Sequence, residues 1–174
     1  MLTVREIKSK DVEEASLLFK KILVDSWERY EKDYYPRRAL EFDLSWNSPE
    51  NLRSELEDSS RFCFVAEENG KLIGMALGVV FGISGLARLG QLGVHPEHQR
   101  CGVGKALIKK VIDHCRAKDC HKVTLYTLPV LIPAINLYLK FGFISEAYLR
   151  EEWWGVDFIK MSLWLRKGKE SKSP

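Results

Sequence analysis

Hydrophobic and polar positions along the chain change period several times, and each change marks an element. "LTVREI" (Leu2–Ile7) alternates apolar with polar, the period of a half-buried strand. Asp11 then stands where a helix N-cap belongs, with Glu14 three residues on to complete a capping box. From there Val12, Ala15, Leu18, Phe19, Ile22, Leu23, Trp27 and Tyr30 recur at helical spacing. They predict one long amphipathic helix, or a broken pair, ending near Pro36. "SPENLRSELEDSS" predicts a second short helix from Ser48 to Leu56. Two strand-like runs follow on either side of Asn69-Gly70, the pair favoured in tight hairpin turns because both positions need positive φ. "LARLGQLGVHP" predicts another strand, stopped at Pro96. Val103, Ala106, Leu107, Val111, Ile112 and Cys115 then form one helical stripe. "KVTLYTL" is a strand rich in β-branched and aromatic residues. "IPAINLYLKFG" is a short helix with Pro133 in its first turn and Gly142 at its C-terminal end. Two final strands, joined at Gly155, close the chain. The predicted order is β-α-α-β-β-β-α-β-α-β-β, an α/β domain with a mixed sheet.

Composition narrows the class. A chain of 174 residues is long enough for one domain with a proper core, and 45% hydrophobic with 29% charged residues is ordinary for a soluble protein. No repeat or low-complexity block divides it, so residues 1–166 read as one domain and 167–174 as a polar tail. The net charge of +3 is too small, and too concentrated near that tail, to argue for nucleic acid. The longest apolar run is short and broken by glycines, so no membrane span is expected, and the N-terminal segment does not resemble a signal peptide. A cytoplasmic location is the expectation, and the four cysteines accordingly read as free thiols. His114, Cys115, Cys120 and His121 together offer a zinc-ligand set, but adjacent ligands on a helix diverge by about 100°. A helix end followed by a loop is the better reading, and no metal is expected.

"HQRCGVGKAL" (His98–Leu107) is the segment that carries chemistry. It is not a Walker loop, which needs G-x-x-x-x-G-K-S/T: Ala106 follows Gly104-Lys105, and Gln99 stands where the first glycine belongs. It is not a dinucleotide fingerprint either, because Leu107 replaces the third glycine and several strands precede it. The general physics survives both failures. Backbone N–H groups from Arg100 to Lys105 lie at a helix start, where up to four donors lack partners and the helix dipole is positive. Gly102 and Gly104 let oxygens approach, Arg100 and Lys105 add charge at the rim, and a diphosphate suits the spread of donors better than one phosphate.

Two stretches resemble the GNAT N-acetyltransferase superfamily. "LGVHPEHQRCGVG" is similar to its acyl-CoA motif L-x-V-x-P-x-x-Q-R-x-G-x-G through Leu92, Val94, Pro96, Gln99, Arg100, Gly102 and Gly104. "AINLYLKFGF" is similar to its A-x-x-L-Y-x-x-x-G-F segment through Ala134, Leu137, Tyr138, Gly142 and Phe143. The order, spacing and element sequence agree, so the resemblance covers nearly the whole chain. It implies a mixed, mostly antiparallel GNAT sheet flanked by helices. It also implies acetyl-CoA as acetyl donor and direct transfer from the thioester to an amine of a small molecule or a peptide. In this family the strand Gln91-Leu92-Gly93-Val94 splays from its neighbour and pairs with pantetheine, while Gln99, Arg100, Cys101, Gly102, Val103, Gly104 and Lys105 hold the pyrophosphate. Tyr138 matches the general acid, and the Leu92 N–H is the expected donor to the thioester carbonyl.

Two positions depart from the family. No carboxylate lies between Gly70 and Glu97, so the strand glutamate that serves many relatives as base is missing. Glu28, Glu31, Asp33, Glu151 and Glu152 are the alternatives, with water relay or bare positioning beside them. Leu131 stands where relatives often carry an asparagine that touches the cofactor. Trp27, Tyr30, Tyr34, Tyr35, Tyr148, Trp153 and Trp154 form either an aromatic acceptor wall or core and dimer contacts. "WWGVDFIKM" resembles a terminal family segment that does not choose the acceptor. A non-catalytic acyl-CoA-binding regulatory domain is the competing function, motivated by the missing carboxylate; a nucleotide-binding module fits the paired motifs less well.

Overall fold

The computed structural model describes residues 1–165; the tail read at 167–174, and the domain limit at 166, lie outside the described residues. The strands are β1 (Thr3–Glu6), β2 (Arg61–Glu68), β3 (Lys71–Val80), β4 (Leu86–Val94), β5 (Lys122–Thr127), β6 (Ile144–Trp153) and β7 (Val156–Trp164). They form one seven-stranded sheet in the order β1-β2-β3-β4-β5-β7-β6. Every neighbouring pair is antiparallel except β4–β5. The helices are α1 (Val12–Ser26), α2 (Arg37–Trp46), α3 (Pro49–Glu57), α4 (Val103–Ala117) and α5 (Ile132–Lys140).

The central strands are covered on both faces, which is why "RFCFVA" and "LIGMALGVV" read as apolar runs rather than alternations. Phe62, Phe64 and Ala66 of β2 pack with Val103, Leu107, Ile108 and Val111 of α4, while Cys63 and Val65 meet α1 from the other side. Each such buried side chain contributes about 1.5–3 kcal/mol relative to exposure. Cys115 sits within this core, and His114 packs against the rings of Phe62 and Phe64. The hairpin turn holds Asn69 at φ 52° and Gly70 at φ 75°, as that pair predicts.

Two expectations need correction. Asp11 precedes α1 but caps nothing there: its carboxylate takes the Lys8 N–H and a two-pronged contact from Arg5. Glu14 instead accepts the Leu72 N–H at 2.8 Å, tying α1 to β3. Those partners lie outside the helix, so no local rule shows them. The second correction is a third helix before β2, giving β-α-α-α-β-β-β-α-β-α-β-β. Pro36 ends one element and also starts α2, standing at its N-cap with ψ 148°. The inward positions of α2 are Ala39 and Asp43, with the buried Asn47 just past its end. Two of those three are polar, so no apolar stripe announces the helix. Between α1 and α2 the chain makes a π-turn over Trp27–Glu31, with the Lys32 N–H reaching the Trp27 carbonyl at 2.9 Å.

Candidate active site

The parallel pair at the middle of the sheet is incomplete. β4 and β5 are in register only over Leu86, Ala87 and Arg88, and beyond that the two strands part. Gly90 is the extra residue of a bulge, since Leu77 faces Gln91 while its neighbour Gly78 faces Leu89. Past the bulge, the His95 N–H donates to the Ile73 carbonyl on the β3 side at 2.8 Å. Peptide N–H groups alternate along a strand, so those of Leu92 and Val94 point the other way, into the opening. Gly93 lets α1 close one wall: a Cβ there would come within 2.6 Å of Ile22 Cγ2.

At the mouth of this opening stands the start of α4. Gly102 is its N-cap at φ 87°, and no side chain caps the helix. The Ala106 N–H is the first to bond back, to the Gly102 carbonyl at 3.0 Å. The N–H groups of Val103, Gly104 and Lys105 are left without a partner among the described residues. Arg100 has φ 63°, and the Gln99 amide closes the loop onto the Val94 carbonyl at 3.3 Å. Together these residues line a cleft of about 350 Å³. Leu92, Gly93, Val94, Gln99, Arg100, Gly102, Gly104 and Lys105 face it. The side chains of Cys101 and Val103 do not: Cys101 is exposed, and that of Val103 is buried beneath the loop against α4's core. Asn136 and Lys140 of α5, and Tyr30 of the π-turn, complete the cleft, although no motif marks them. The uncapped helix start and the strand edge with free amides suit a diphosphate joined to an amide-bearing arm, the chemistry of CoA. Leu131 lines the cleft with an apolar side chain, and the side-chain amide on this wall is that of Asn136 instead.

A second cavity, about 620 Å³, opens on the other side of Leu92 and shares with the first Ile22, Ser26, Leu92, Leu131 and Ala134. Tyr138 of α5 lines it. That side chain is only 7% exposed, yet its hydroxyl has no hydrogen-bond partner among the described residues. Burial alone pushes its pKa up to about 12.

Acids also reach this cavity. Glu31 ends the π-turn, whose wider spacing lets residues five apart share a face, and the Ser26 hydroxyl donates to its carboxylate. Burial, then the charge of Asp43, raise the Glu31 pKa, against that hydrogen bond. Asp43 accepts the Tyr35 hydroxyl at 3.2 Å, and burial holds its pKa up at about 6. Sequence reasoning missed Asp43 because α2 itself carried no apolar signature. The other acids weighed as bases stand elsewhere. Glu28 pairs with Lys32 on the surface, Asp33 and Glu152 are exposed, and Glu151 lies in an irregular part of β6 at φ 49°. None of these four lines the cavity.

Aromatic residues from both ends of the chain do meet here. Tyr35 and Trp153 line the cavity with Phe42, Trp46, Tyr126 and Phe158. Trp27 and Tyr34 instead hold the scaffold. The Trp27 indole donates to the Tyr35 carbonyl at 2.9 Å, and the Tyr34 hydroxyl joins the Asp157 backbone at 3.0 and 3.1 Å. Tyr148 donates to the Asp157 carboxylate at 2.8 Å, and Trp154 packs on Phe42.

The model of the Acetyltransferase (GNAT) family matches residues 19–143, which takes in the parted strands, the loop and Tyr138. The chain belongs to the GNAT acetyltransferase family. An N-acetyltransferase of Schizosaccharomyces pombe is 29% identical over 98 residues, 56% of this chain and 60% of that protein. The chain thus spans about three-fifths of that curated relative's length. Among solved structures, the paia N-acetyltransferase of Thermoplasma acidophilum in complex with coenzyme A has a TM-score of 0.74 at 21% identity, covering 92% of this chain and 98% of that one. A chimeric spermidine N-acetyltransferase from Vibrio cholerae has a TM-score of 0.72 at 25% identity, covering 94% and 95%. The GNAT fold, with its mostly antiparallel seven-stranded sheet, is therefore established. No helix among the described residues is long and apolar enough to cross a membrane.

Proposed function

We propose that this GNAT protein is an N-acetyltransferase that moves the acetyl group of acetyl-CoA directly to an amine. The observation that carries the reading is the meeting at Leu92 of a strand edge with free amides and a cavity holding an unpartnered buried tyrosine. Acetyl-CoA supplies the acyl group as a thioester. The free N–H groups of Val103, Gly104 and Lys105 hold its diphosphate, with Arg100 and Lys105 as rim charges. The Val94 and Leu92 amides align the arm, and that of Leu92 polarises the reacting carbonyl.

Tyr138 acts at the leaving sulfur. A phenol held at about 12 stays protonated throughout the neutral range, and does not surrender its proton outright to a thiolate whose acid has a pKa of ~8.5. Its contribution is a short-range hydrogen bond to the departing sulfur, with the amine's own proton balancing the products. The missing strand carboxylate is no obstacle, because holding amine and thioester together supplies several kcal/mol of the barrier by itself, roughly 7–11 at best.

The four free thiols suit a reducing compartment, and we read the chain as cytoplasmic. We extend the reading to a homodimer paired along β6, an edge strand with Ile144, Tyr148 and Trp153 exposed; sedimentation as a monomer refutes that extension. The central test is release of CoA thiol with a panel of small amines and peptide N-termini. Acceptor-dependent release is the expected result. Tight acetyl-CoA binding with no release from any acceptor overturns it and leaves an acyl-CoA-binding regulatory domain.

A further inference from the structure

The acceptor-side cavity carries more negative charge than its lining can balance. Glu31 and Asp43 come from two different elements and face one space, each largely withdrawn from water. Neither has a cationic partner within 4.0 Å among the described residues; their only side-chain contacts are the hydroxyls of Ser26 and Tyr35. Three carboxylates, Glu31, Asp43 and Glu55, face that space against two cations, Arg61 and Arg88. Arg61 is paired with Glu55 and Asp58, and Arg88 lies over the Phe81 ring at 5.5 Å. Among the described residues no lysine lines the cavity. Two partly buried carboxylates without a counter-charge are costly to hold, and a cationic ligand removes that cost.

The remaining walls suit a cation as well. Trp153 meets Tyr126 and Phe158 edge to face, each at 5.1 Å between ring centres, and Phe42 stacks with Trp46 at 6.0 Å. Aromatic surfaces of this kind attract ammonium groups by their quadrupoles. The cavity is of a size that encloses a small molecule. At its reacting end Tyr138 presents the unpartnered hydroxyl described above.

A single amine cannot serve both ends. Held by the acid pair it stays an ammonium, and an ammonium has no lone pair with which to attack a thioester. We infer that the acceptor is a small aliphatic diamine or polyamine, whose remote ammonium sits between Glu31 and Asp43 while a second, neutral amine reaches the acyl group beside Leu92 and Tyr138. This rests on the transfer reading for the second amine, but not for the binding of the first. The new C–N bond forms as the C–S bond breaks, the electron pair leaves on sulfur, and the proton the amine loses ends on that sulfur as the CoA thiol. The remote ammonium is unchanged. Glu31 and Asp43 are then specificity residues: they choose dications over monoamines and over peptide N-termini, whose adjacent carbonyl oxygen would face two carboxylates.

The test compares 1,4-diaminobutane and spermidine with butylamine and an alanyl peptide in the thiol-release assay, alongside calorimetric titration of 1,4-diaminobutane into the full chain. The diamine should exceed butylamine in kcat/KM by ~30-fold or more, as a close charge pair of this kind allows. Glu31→Gln and Asp43→Asn should each raise the diamine KM by about tenfold and weaken its calorimetric affinity equally, with unchanged acetyl-CoA affinity as the folding control. Two isosteric variants on separate elements guard against one of them failing to fold. Diamine binding that depends on both acids without any acetylation sustains this inference and sinks the transfer reading. Equal turnover of butylamine, peptide and diamine, with diamine affinity indifferent to both substitutions, overturns the inference and leaves the transfer reading intact.

Discussion

On one side of Leu92 a single run, Leu92 to Lys105, supplies one wall through main-chain groups: strand amides, a left-handed Gly102 and an uncapped helix start, with α1, the π-turn and α5 opposite. On the other side the lining comes from side chains of α1, the π-turn, α2, α3, β2, β3, β4, β5, α5, β6 and β7. A donor common to a whole family calls for the first kind of site, since backbone groups tolerate substitution around them. An acceptor particular to one protein calls for the second, where one side chain can change the preference. The two cavities share five wall residues, so the division runs through a single site.

The largest effect that tests this division is at Tyr138. Tyr138→Phe keeps the ring, which packs on Phe143, and removes only the hydroxyl. Turnover should fall by about 10²–10³-fold, the usual cost of losing one transition-state hydrogen-bond donor, while the acetyl-CoA dissociation constant stays put. An unchanged rate in single-turnover thiol release would make Tyr138 a core residue that happens to border the cavity.

A smaller effect, on stability, should appear at Asp43. Burial raises its pKa to about 6, above the unfolded value of ~3.9, so the folded chain binds this proton more tightly than the unfolded chain does. The associated stability is fully present below the unfolded pKa and is lost as pH rises through about 6. Asp43→Asn should therefore stabilise the free protein by on the order of 2 kcal/mol at pH ~8, with the gain fading toward pH ~4. Urea unfolding at the two pH values measures it. No pH dependence in the difference would show that Asp43 is better solvated than its place in the cavity implies.

Gly102→Val probes the other half. No atom lies within 4 Å of the added Cβ, but the φ of 87° is one that a β-branched residue resists at a cost of about 1–3 kcal/mol. Acetyl-CoA affinity should drop about tenfold as the free N–H groups turn aside, while diamine affinity is untouched. A parallel loss of both affinities would mean that the two halves are not separable. The smallest effect belongs to the rim. Arg100→Ala and Lys105→Ala should each weaken acetyl-CoA binding by about threefold at low salt, an exposed charge being largely screened at ~0.5 M. Titrations at two ionic strengths decide it.

The same contrast explains which features were legible beforehand. Gly102, Gly104 and the residues before them lie next to one another in the chain, so their failures as other phosphate loops and their fit to a CoA loop can be read locally. The order of elements along the chain was legible too, apart from α2. There the inward positions carry Asp43 and, just beyond, Asn47, and a periodicity search looks for apolar residues. Asp11 and Glu14 formed a plausible local capping box and found distant partners instead, Arg5 and the Leu72 N–H. Of five acids that local reasoning held equal as bases, folding brought only Glu31 to the cavity.

The sequence by itself determined the period of each strand and most helices, the Asn69-Gly70 turn, the glycine loop that opens α4 and the family. All of these follow from neighbours in the chain, whose geometry is set by backbone sterics and hydrogen-bond spacing. Only the tertiary structure decided where β4 leaves β5, that Glu31 and Asp43 share one cavity, and that no cation among the described residues answers them. Those facts depend on packing between residues far apart in the chain. Burial then sets their charge state, because a carboxylate's preference for its charged form depends on how much water the assembled fold leaves around it.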